Sequence, residues 1–265
     1  MNDKKELKVT FLGTGTSTGV PMITSKSPVR FSENPKDKRL RSSVIFSWED
    51  KGEEINYVID CGPDFRQQMI KADVDSIKGI LFTHEHADHI AGFDEIRPYY
   101  YKMGPVPIYS DARVLKSLEK RYEYIFTTEN RYPSAPEVKS HVISKDDVFE
   151  FHGVKITPIR VMHGDLPILG YRFGNIAYLT DVKWIPEEEK EKLRDLDILI
   201  TTALRLDSHK THATLEEALT LVEELKPKQA YFSHISELLG FHAEIEKDLP
   251  ENVFLAYDTL EVSGT

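Results

Sequence analysis

The groups best suited to chemistry in this chain lie in residues 83–89, which read THEHADH and directly follow a short apolar run. They bring together three imidazoles and two carboxylates, side chains that bind zinc, manganese and similar divalent ions. On an extended segment His84 and His86 face the same side, whereas Asp88 and His89 follow where the chain begins to turn. A lone histidine is usually an ordinary polar residue, but this cluster predicts half of a two-metal site, with one pair for each ion.

The order of these residues, H-x-H-x-D-H after a buried strand, resembles the signature of the metallo-β-lactamase-fold hydrolases. The resemblance extends along the chain and implies three further metal ligands: a histidine from a later loop, a bridging aspartate and a last histidine near the C-terminus. His163, Asp181 and His234 fit these places. The implied fold is of the α/β class, a four-layered αβ/βα sandwich. Two mixed sheets lie face to face in it, helices cover them, and the metal ions lie at one edge.

The local sequence around these three residues supports their assignment. His163 follows a strand-like segment and precedes a glycine, which leaves room for an ion. Asp181 ends the apolar run 176–180, where an unpaired carboxylate would be costly unless a cation met it. His234 ends another strand-like run in the same way, so separate strands could deliver ligands to one edge of a sheet. The resemblance also suggests that Asp60, at a further strand end, orients ligand histidines.

Two neighbouring divalent ions, zinc or manganese, can share a water molecule, lower its pKa and stabilise both oxygens of a displacement at phosphorus. Hydrolysis is therefore the expected reaction, with a metal-bridging hydroxide as nucleophile and Asp88 helping to orient it. Asp88 and Asp181 also favour oxygen-rich substrates. A true β-lactamase is not expected, because those enzymes as a family lack the bridging aspartate. The sequence thus predicts a dinuclear phosphodiesterase for a small phosphodiester, with cyclic ribose and nucleotide phosphates among the candidates.

The segment 201–212, TTALRLDSHKTH, resembles the ALR…HxxH stretch of the PhnP-type cyclic phosphodiesterases. The resemblance implies that its last histidine, His212, contacts phosphate and serves in catalysis. His212 lies just before a helix that Thr214 and Glu217 start with a capping box, where the helix dipole could help to hold an anion. The ordinary alternative is a solvent-facing histidine near a helix cap, and His209 is left outside the predicted site.

One segment departs from that subfamily. Its better-known members carry a cysteine-rich structural zinc site after the first glycine turn, completed by a histidine a few residues past the last metal ligand. Here residues 21–29 contain no cysteine, and Glu237 stands about where that histidine would be. The structural zinc is therefore not expected, and the predicted catalytic set is unaffected.

Length and charge fit a compact enzyme. The 265 residues, 40% of them hydrophobic, can form a sizeable core, and we expect a single domain over residues 1–265. The net charge of −10 argues against nucleic acid as a partner. The basic run 36–41 is interpreted as a solvated loop, and a substrate-binding patch that meets a phosphate is the less favoured alternative. No apolar stretch has the length of a signal peptide or a membrane span, so we expect a cytoplasmic protein with no membrane partner. A homodimer stays open.

Three alternatives share the fold. A transfer-RNA 3′-end nuclease has most of the same ligands, but it grips RNA with an added arm, and no long basic, Gly/Pro-rich insertion is present. A glyoxalase-type thioesterase or lactonase would act on thioesters and not on phosphodiesters. A non-catalytic metal-binding scaffold would hydrolyse no ester with its metals loaded, and the complete ligand set together with His212 argues against it.

The ligand-bearing segments lie among alternating strand and helix patterns. Runs rich in Val, Ile, Phe and Tyr predict strands at 8–12, 43–48, 55–59, 79–83, 106–109, 148–161, 170–173, 176–180, 198–202, 229–233 and 253–257. Helices are predicted at 63–72, 112–124, 186–195, 214–226 and 242–249. The glycines of the turn 13–19 do not fit the dinucleotide-binding fingerprint, and a similar turn in related hydrolases packs near the metal centre.

Overall fold

Two mixed sheets of seven strands each form the centre of the computed structural model, which describes residues 5–264. The first contains β1 (Leu7–Gly13), β2 (Ser43–Asp50), β3 (Glu53–Ile59), β4 (Gly79–Leu81), β5 (Val106–Ser110), β6 (Val138–Val142) and β14 (Glu261–Gly264). The second contains β7 (Phe149–Phe151), β8 (Val154–His163), β9 (Leu166–Phe173), β10 (Ile176–Leu179), β11 (Ile198–Thr202), β12 (Gln229–Ser233) and β13 (Val253–Leu255).

Both sheets have the same strand pattern. The first is ordered β14-β1-β2-β3-β4-β5-β6 and the second β13-β12-β11-β10-β9-β8-β7. Strands β3 to β6 of the first sheet, and β10 to β13 of the second, pair in parallel, and the remaining neighbours pair antiparallel. Because parallel strands send their carboxyl ends to the same edge, residues that follow β10, β11 and β12 meet at one edge of the second sheet.

Helices cover the outer faces of both sheets. They are α1 (Phe65–Ala72), α2 (Ala87–Ile90), α3 (Arg97–Met103), α4 (Ala112–Arg121), α5 (Glu123–Phe126), α6 (Glu187–Lys190), α7 (Leu215–Leu225) and α8 (His242–Ile245). One apolar core lies between the sheets, where Phe46 and Phe173 stack with ring centroids 4.1 Å apart. A second core lies under α7, and a third lies under α1 and α4. These layers confirm the predicted α/β class and four-layered αβ/βα sandwich.

Hydrogen bonds fasten the two sheets together where β4 ends. Leu169 N, in β9, donates to the carbonyl of Thr83 at 3.1 Å, and the Tyr171 hydroxyl donates to the carbonyl of Phe82 at 2.6 Å. The residues after β4 are therefore held against the sheet that carries the later predicted ligands.

The predicted capping box at the start of α7 is confirmed. Thr214 Oγ1 accepts from Glu217 N at 3.2 Å, and Glu217 Oε2 accepts from Thr214 N at 2.8 Å. Both bonds satisfy amide groups that a helix start leaves without partners. They fix the point at which the loop carrying His212 enters the helix.

Several predicted elements need correction. The predicted strand 148–161 is two strands, β7 and β8, because His152 and Gly153 turn the chain with φ of 48° and 81°. The predicted helix 186–195 is the single turn α6 followed by a 3-10 turn, and the predicted helix 242–249 is likewise α8 followed by a 3-10 turn. The edge strands β6 and β14 and the helix α3 were not predicted. Within residues 5–264, no helix has both the length and the apolar character that a membrane crossing requires.

The basic run 36–41 is less exposed than predicted, so the solvated-loop interpretation was wrong for its central arginine. Arg39 is buried, and it donates hydrogen bonds to Thr14 Oγ1 at 2.8 Å and to the carbonyl of Ala256. Burial lowers the pKa of Arg39 to about 10, although Asp258 and Asp37 partly offset this effect. Through its hydrogen bond to Thr14, Arg39 thus holds the glycine-containing turn 13–19 in place.

Candidate metal centre

Asp60, which follows β3, is the buried anchor of the turn after β4. Its Oδ1 accepts a hydrogen bond from Thr83 N (2.8 Å), and its Oδ2 accepts from Thr83 Oγ1 (2.8 Å) and from His89 Nδ1 (2.7 Å). Burial raises the pKa of Asp60, although His89 and Thr83 stabilise its charge. Because His89 Nδ1 serves as a donor, the neutral ring of His89 has its lone pair on Nε2, where a metal ion could replace the second proton.

Thr83 connects Asp60 to His84 and fixes which nitrogen of His84 carries the proton. The Thr83 hydroxyl donates its single proton to Asp60, so it accepts from His84 Nδ1 at 3.0 Å. His84 Nε2 then also carries a lone pair. One carboxylate therefore sets the tautomers of two candidate ligands, His84 and His89.

Three histidines form the first group that could hold a metal ion: His84, His86 and His163. One ligand atom from each lies within 4.8 Å of the others, and His84 Nε2 is 3.0 Å from His86 Nδ1. His163 ends β8, and its Nδ1 donates to the carbonyl of Thr211 at 2.8 Å, so its Nε2 can accept an ion. His84 and His163 are buried, whereas His86 is exposed.

The second group combines two imidazoles with two carboxylates, from Asp88, His89, Asp181 and His234. His89 Nε2 lies 3.1 Å from an oxygen of Asp88 and 3.1 Å from an oxygen of Asp181. His234 Nδ1 is also 3.1 Å from Asp181. Asp181 belongs to a third group as well, with His163 and His212. The structure therefore brings together every residue predicted for the site, and Asp181 links the second group to the first through His163.

Three residues at strand ends around this centre share a left-handed backbone. Asp60, Asp181 and His234 follow β3, β10 and β12 with φ of 65°, 57° and 54°. Such a φ costs on the order of 1 kcal/mol or more in a residue other than glycine, and it persists only where the surroundings enforce it. Each strand is thus followed by a sharp turn, and the residue with the left-handed backbone in that turn brings its polar side chain to the centre.

The polar atoms of the centre are arranged as a cation would require. His89 Nε2 is buried and makes no hydrogen bond, although two carboxylate oxygens lie 3.1 Å away. Burial alone would lower the pKa of His89, but Asp88 and Asp181 raise it well above its usual value. Buried lone pairs that face one another need a proton or a metal ion between them. The nitrogen and oxygen donors fit divalent ions such as zinc or manganese.

His212 lies directly beside both groups. Its ring centroid is 4.5 Å from that of His163 and 4.8 Å from that of His234. His212 Nδ1 is buried, makes no hydrogen bond and lies 3.7 Å from Asp181 Oδ1. Burial, with a contribution from His234, lowers the pKa of His212 to about 2, so its ring is neutral at pH 7. A neutral imidazole still has one N–H group to donate.

The glycine-containing turn 13–19 contacts the centre through Thr16, which the sequence did not single out. Thr16 Oγ1 lies 3.1 Å from His234 Nε2, and Thr16 N donates to the carbonyl of Ile235 at 3.0 Å. The packing of this turn near the metal centre is thus confirmed. The signal for this contact was the resemblance to related hydrolases, in which a similar turn packs near the metal centre, and nothing singled out Thr16 within the turn.

Two further side chains enlarge the predicted set. Thr180 Oγ1 donates to Asp181 Oδ2 at 2.8 Å and so fixes the carboxylate between the clusters. His209, left outside the predicted site, has its ring centroid 5.0 Å from that of His212. The sequence signal for His209 was its spacing of three residues from His212 in the HxxH stretch.

Glu237 has a structural role at the segment 21–29. Its Oε1 accepts from Ser25 Oγ at 2.7 Å, and its Oε2 accepts from Met22 N at 3.3 Å. Ser25 and Glu237 are both buried. Hydrogen bonds to one carboxylate therefore tie this cysteine-free segment to the loop that follows His234.

The whole chain, and not only the THEHADH segment, has counterparts among known proteins. A family model described as a beta-lactamase superfamily domain matches residues 55–235. The crystal structure of a diphosphatase from the PhnP family is 39% identical, covers 98% of this chain and 97% of its own, and gives a TM-score of 0.89. Ribonuclease Z from Bacillus subtilis is 22% identical over 97% of this chain and 99% of its own length. An octanoyltransferase from Porphyromonas gingivalis is 38% identical over 96% of this chain, which spans 51% of that protein.

These similarities agree with the ligand groups and with the two-sheet architecture. The family model covers the segments that carry His84 to His89, His163, Asp181 and His234. The PhnP-family match extends over almost the full length of both chains at 39% identity. This chain belongs to the metallo-β-lactamase superfamily of metal-dependent hydrolases and, within it, to the PhnP family.

Proposed function

We propose that this chain is a phosphodiesterase that uses two divalent metal ions, zinc or manganese, to hydrolyse a small phosphodiester. The observation that carries the proposal is the pair of ligand groups that Asp181 joins, with His212 beside them. The first ion would be held by three histidines, His84, His86 and His163. The second would be held by Asp88, His89 and His234, with Asp181 shared between the two ions.

The surrounding residues would act on the substrate in distinct ways. Two bound ions supply Lewis acidity and a water of lowered pKa. His212 Nδ1, buried and without a hydrogen-bond partner, is placed to donate a hydrogen bond to a phosphoryl oxygen. A bound phosphate anion would favour the imidazolium form of His212, and only that form could give a proton to the leaving alkoxide. The second oxygen of Asp88 would accept a hydrogen bond from the attacking water and fix its direction. The N-terminus of α7, two residues beyond His212, adds a favourable potential for an anionic group.

A second candidate function is hydrolysis of a diphosphate. It is favoured by the 39% identical relative, which is a diphosphatase of the PhnP family. The two reactions differ in the leaving group, which is an alkoxide for a phosphodiester and a phosphate for a diphosphate. The alkoxide is far more basic, so it needs a proton more than the phosphate does. The contribution of His212 to turnover should therefore be large for a phosphodiester with a poor leaving group and small for a diphosphate.

A substrate panel tests both candidates. Linear phosphodiesters, 2′,3′-cyclic nucleotides, 1,2-cyclic ribose phosphates, nucleoside diphosphates and thioesters would be offered to the wild type loaded with manganese or with zinc. We expect turnover of at least one phosphodiester and a stronger loss in His212→Ala for alkoxide than for phosphate leaving groups. Turnover of diphosphates alone would replace the first candidate by the second.

The alternatives have their own outcomes in this panel. Hydrolysis of thioesters without phosphodiesters would favour a glyoxalase-type thioesterase, and cleavage of precursor transfer RNA at its 3′ end would favour a ribonuclease Z activity. If the protein hydrolyses none of these substrates with both ions bound, it is a metal-binding scaffold. The proposed partner is a small-molecule phosphodiester, and with a net charge of −10 we expect no nucleic-acid partner.

A further inference from the structure

Arg113, in the first turn of α4, lies at a junction of three segments. Its Nη2 atom donates to the carbonyl of Pro167 at 2.8 Å, and the same atom lies 3.3 Å from Glu85 Oε2 and 3.7 Å from Asp111 Oδ2. Asp111 caps the helix by accepting from Val114 N at 2.8 Å. The guanidinium group is thus surrounded by three oxygen acceptors from separate parts of the chain.

Two of these segments carry the first group of candidate ligands. Glu85 lies between His84 and His86, and its carboxylate contacts Arg113. Pro167 lies in β9, in the hairpin where His163 pairs with Leu166. Arg113 therefore connects the turn that holds two histidines with the hairpin that holds the third.

Other contacts fix the residues on both sides of Glu85 and His86. Phe82 and Thr83 are fixed to β9 and Asp60, and His89 is fixed to Asp60. His86 lies between these fixed points and is exposed. Glu85 Oε2 is buried and makes no hydrogen bond of good geometry, so the Arg113 cation is what stabilises its charge.

We infer that Arg113 and Glu85 are positioning residues that hold His84 and His86 at the correct distance from His163. The inference rests on the proposed function, because it assigns these histidines to one metal ion. Arginine suits the role because the two N–H groups of its Nη2 atom lie in a fixed plane and reach the carbonyl and the carboxylate together, whereas lysine carries its charge on a flexible ammonium. Groups that orient metal ligands without touching the ion typically change metal affinity by about 10–100-fold.

The test measures the release of zinc from the loaded protein into an excess of a chromogenic chelator. The wild type should release two ions in two phases, and the phase that is missing in His86→Ala belongs to the three-histidine group. In Arg113→Ala we expect that phase to be about 10–100-fold faster, with the other phase unchanged. Glu85→Gln keeps the shape of the side chain and should accelerate the same phase, and Arg113→Lys should restore part of the loss.

A matched control is Arg121→Ala, which removes an exposed arginine from the last turn of the same helix. It should release both ions as the wild type does. Two outcomes would overturn the inference. One is release of both ions at the wild-type rates in Arg113→Ala and Glu85→Gln. The other is acceleration of both phases by the same factor together with a lowered Tm. The readout needs no substrate, so a protein without phosphodiesterase activity would refute the proposed function and still decide the role of Arg113.

Discussion

Replacing Asp60 with asparagine changes one oxygen to an amide nitrogen beneath the centre and should weaken both metal sites. Asp60 accepts three hydrogen bonds, two from Thr83 and one from His89. Through the Thr83 hydroxyl it also fixes His84. Asparagine has one acceptor and one donor in the same volume, so it cannot accept at both positions.

Either orientation of the new amide has a cost. If its NH₂ group replaces Oδ2, it faces His89 Nδ1, which must then accept, and the His89 proton moves to Nε2 where the metal ion would bind. The Thr83 hydroxyl then turns its proton toward His84 and reverses that ring as well. If the NH₂ group replaces Oδ1, it meets Thr83 N at a distance of 2.8 Å in the wild type. Two buried donors facing each other cost about 1–3 kcal/mol.

The expected loss is about 10–100-fold in affinity at each site, which agrees with that free energy at about 1.4 kcal/mol per tenfold change. Isothermal titration of chelator-stripped protein with zinc or manganese measures it. Asp94→Asn is the control, because Asp94 pairs with Arg97 at the surface, and its side chain is 43% exposed. Wild-type affinity for both ions in a folded Asp60→Asn protein would show that Asp60 does not set the tautomers of His84 and His89.

Three shorter predictions concern other parts of the molecule. His212→Ala should keep both metal ions, as elemental analysis would show, and lower phosphodiester turnover by about 10²–10⁴-fold; unchanged turnover would remove His212 from the mechanism. Thr214→Ala removes one bond of the capping box and should lower the free energy of unfolding by about 1 kcal/mol in urea titrations, and a value near zero would show that the cap is dispensable. His242 is buried, and burial together with Arg39 lowers its pKa, with Glu246 opposing and Asp37 bonded to its backbone. A lowered folded pKa gives stability that is present above the unfolded value near 6.5 and is lost as the pH falls below it. Wild-type protein should therefore lose more unfolding free energy than His242→Gln between pH 7 and pH 5, by at most about 1.4 kcal/mol per pH unit; parallel pH profiles would contradict this.

The residues predicted as ligands lie close together in the structure because each lies next to a strand that local composition identifies. Asp181 and His234 follow apolar runs, and the parallel order of β10 and β12 around β11 then places them at one edge. The H-x-H-x-D-H segment needs no tertiary information at all. What composition encodes locally, namely a buried strand followed by a polar residue, is therefore also what positions these side chains.

The features that were missed depend on contacts between distant segments. Thr16 and His234 are 218 residues apart, and Glu85 meets Arg113 from another element. Arg39 looked like part of a solvated loop because its buried partners, among them Ala256, lie far along the chain. The edge strand β6, VKSHV, has no buried residue and so lacks the apolar alternation by which inner strands are found.

The left-handed strand ends explain why polar residues, and not glycines, occupy the sharpest turns at this centre. Glycine would adopt the φ of Asp60, Asp181 or His234 without strain, but it would bring no ligand or anchor to the edge. The backbone cost of about 1 kcal/mol or more at each position is tolerated because the side chain is held by several partners. Asp60 has Thr83 and His89, and Asp181 has Thr180 and two histidines. A bound cation would add to these restraints, so metal binding and the strained backbone should stabilise each other. Metal-loaded protein should accordingly unfold at a higher temperature than chelator-stripped protein, and a Tm that metal leaves unchanged would contradict this coupling.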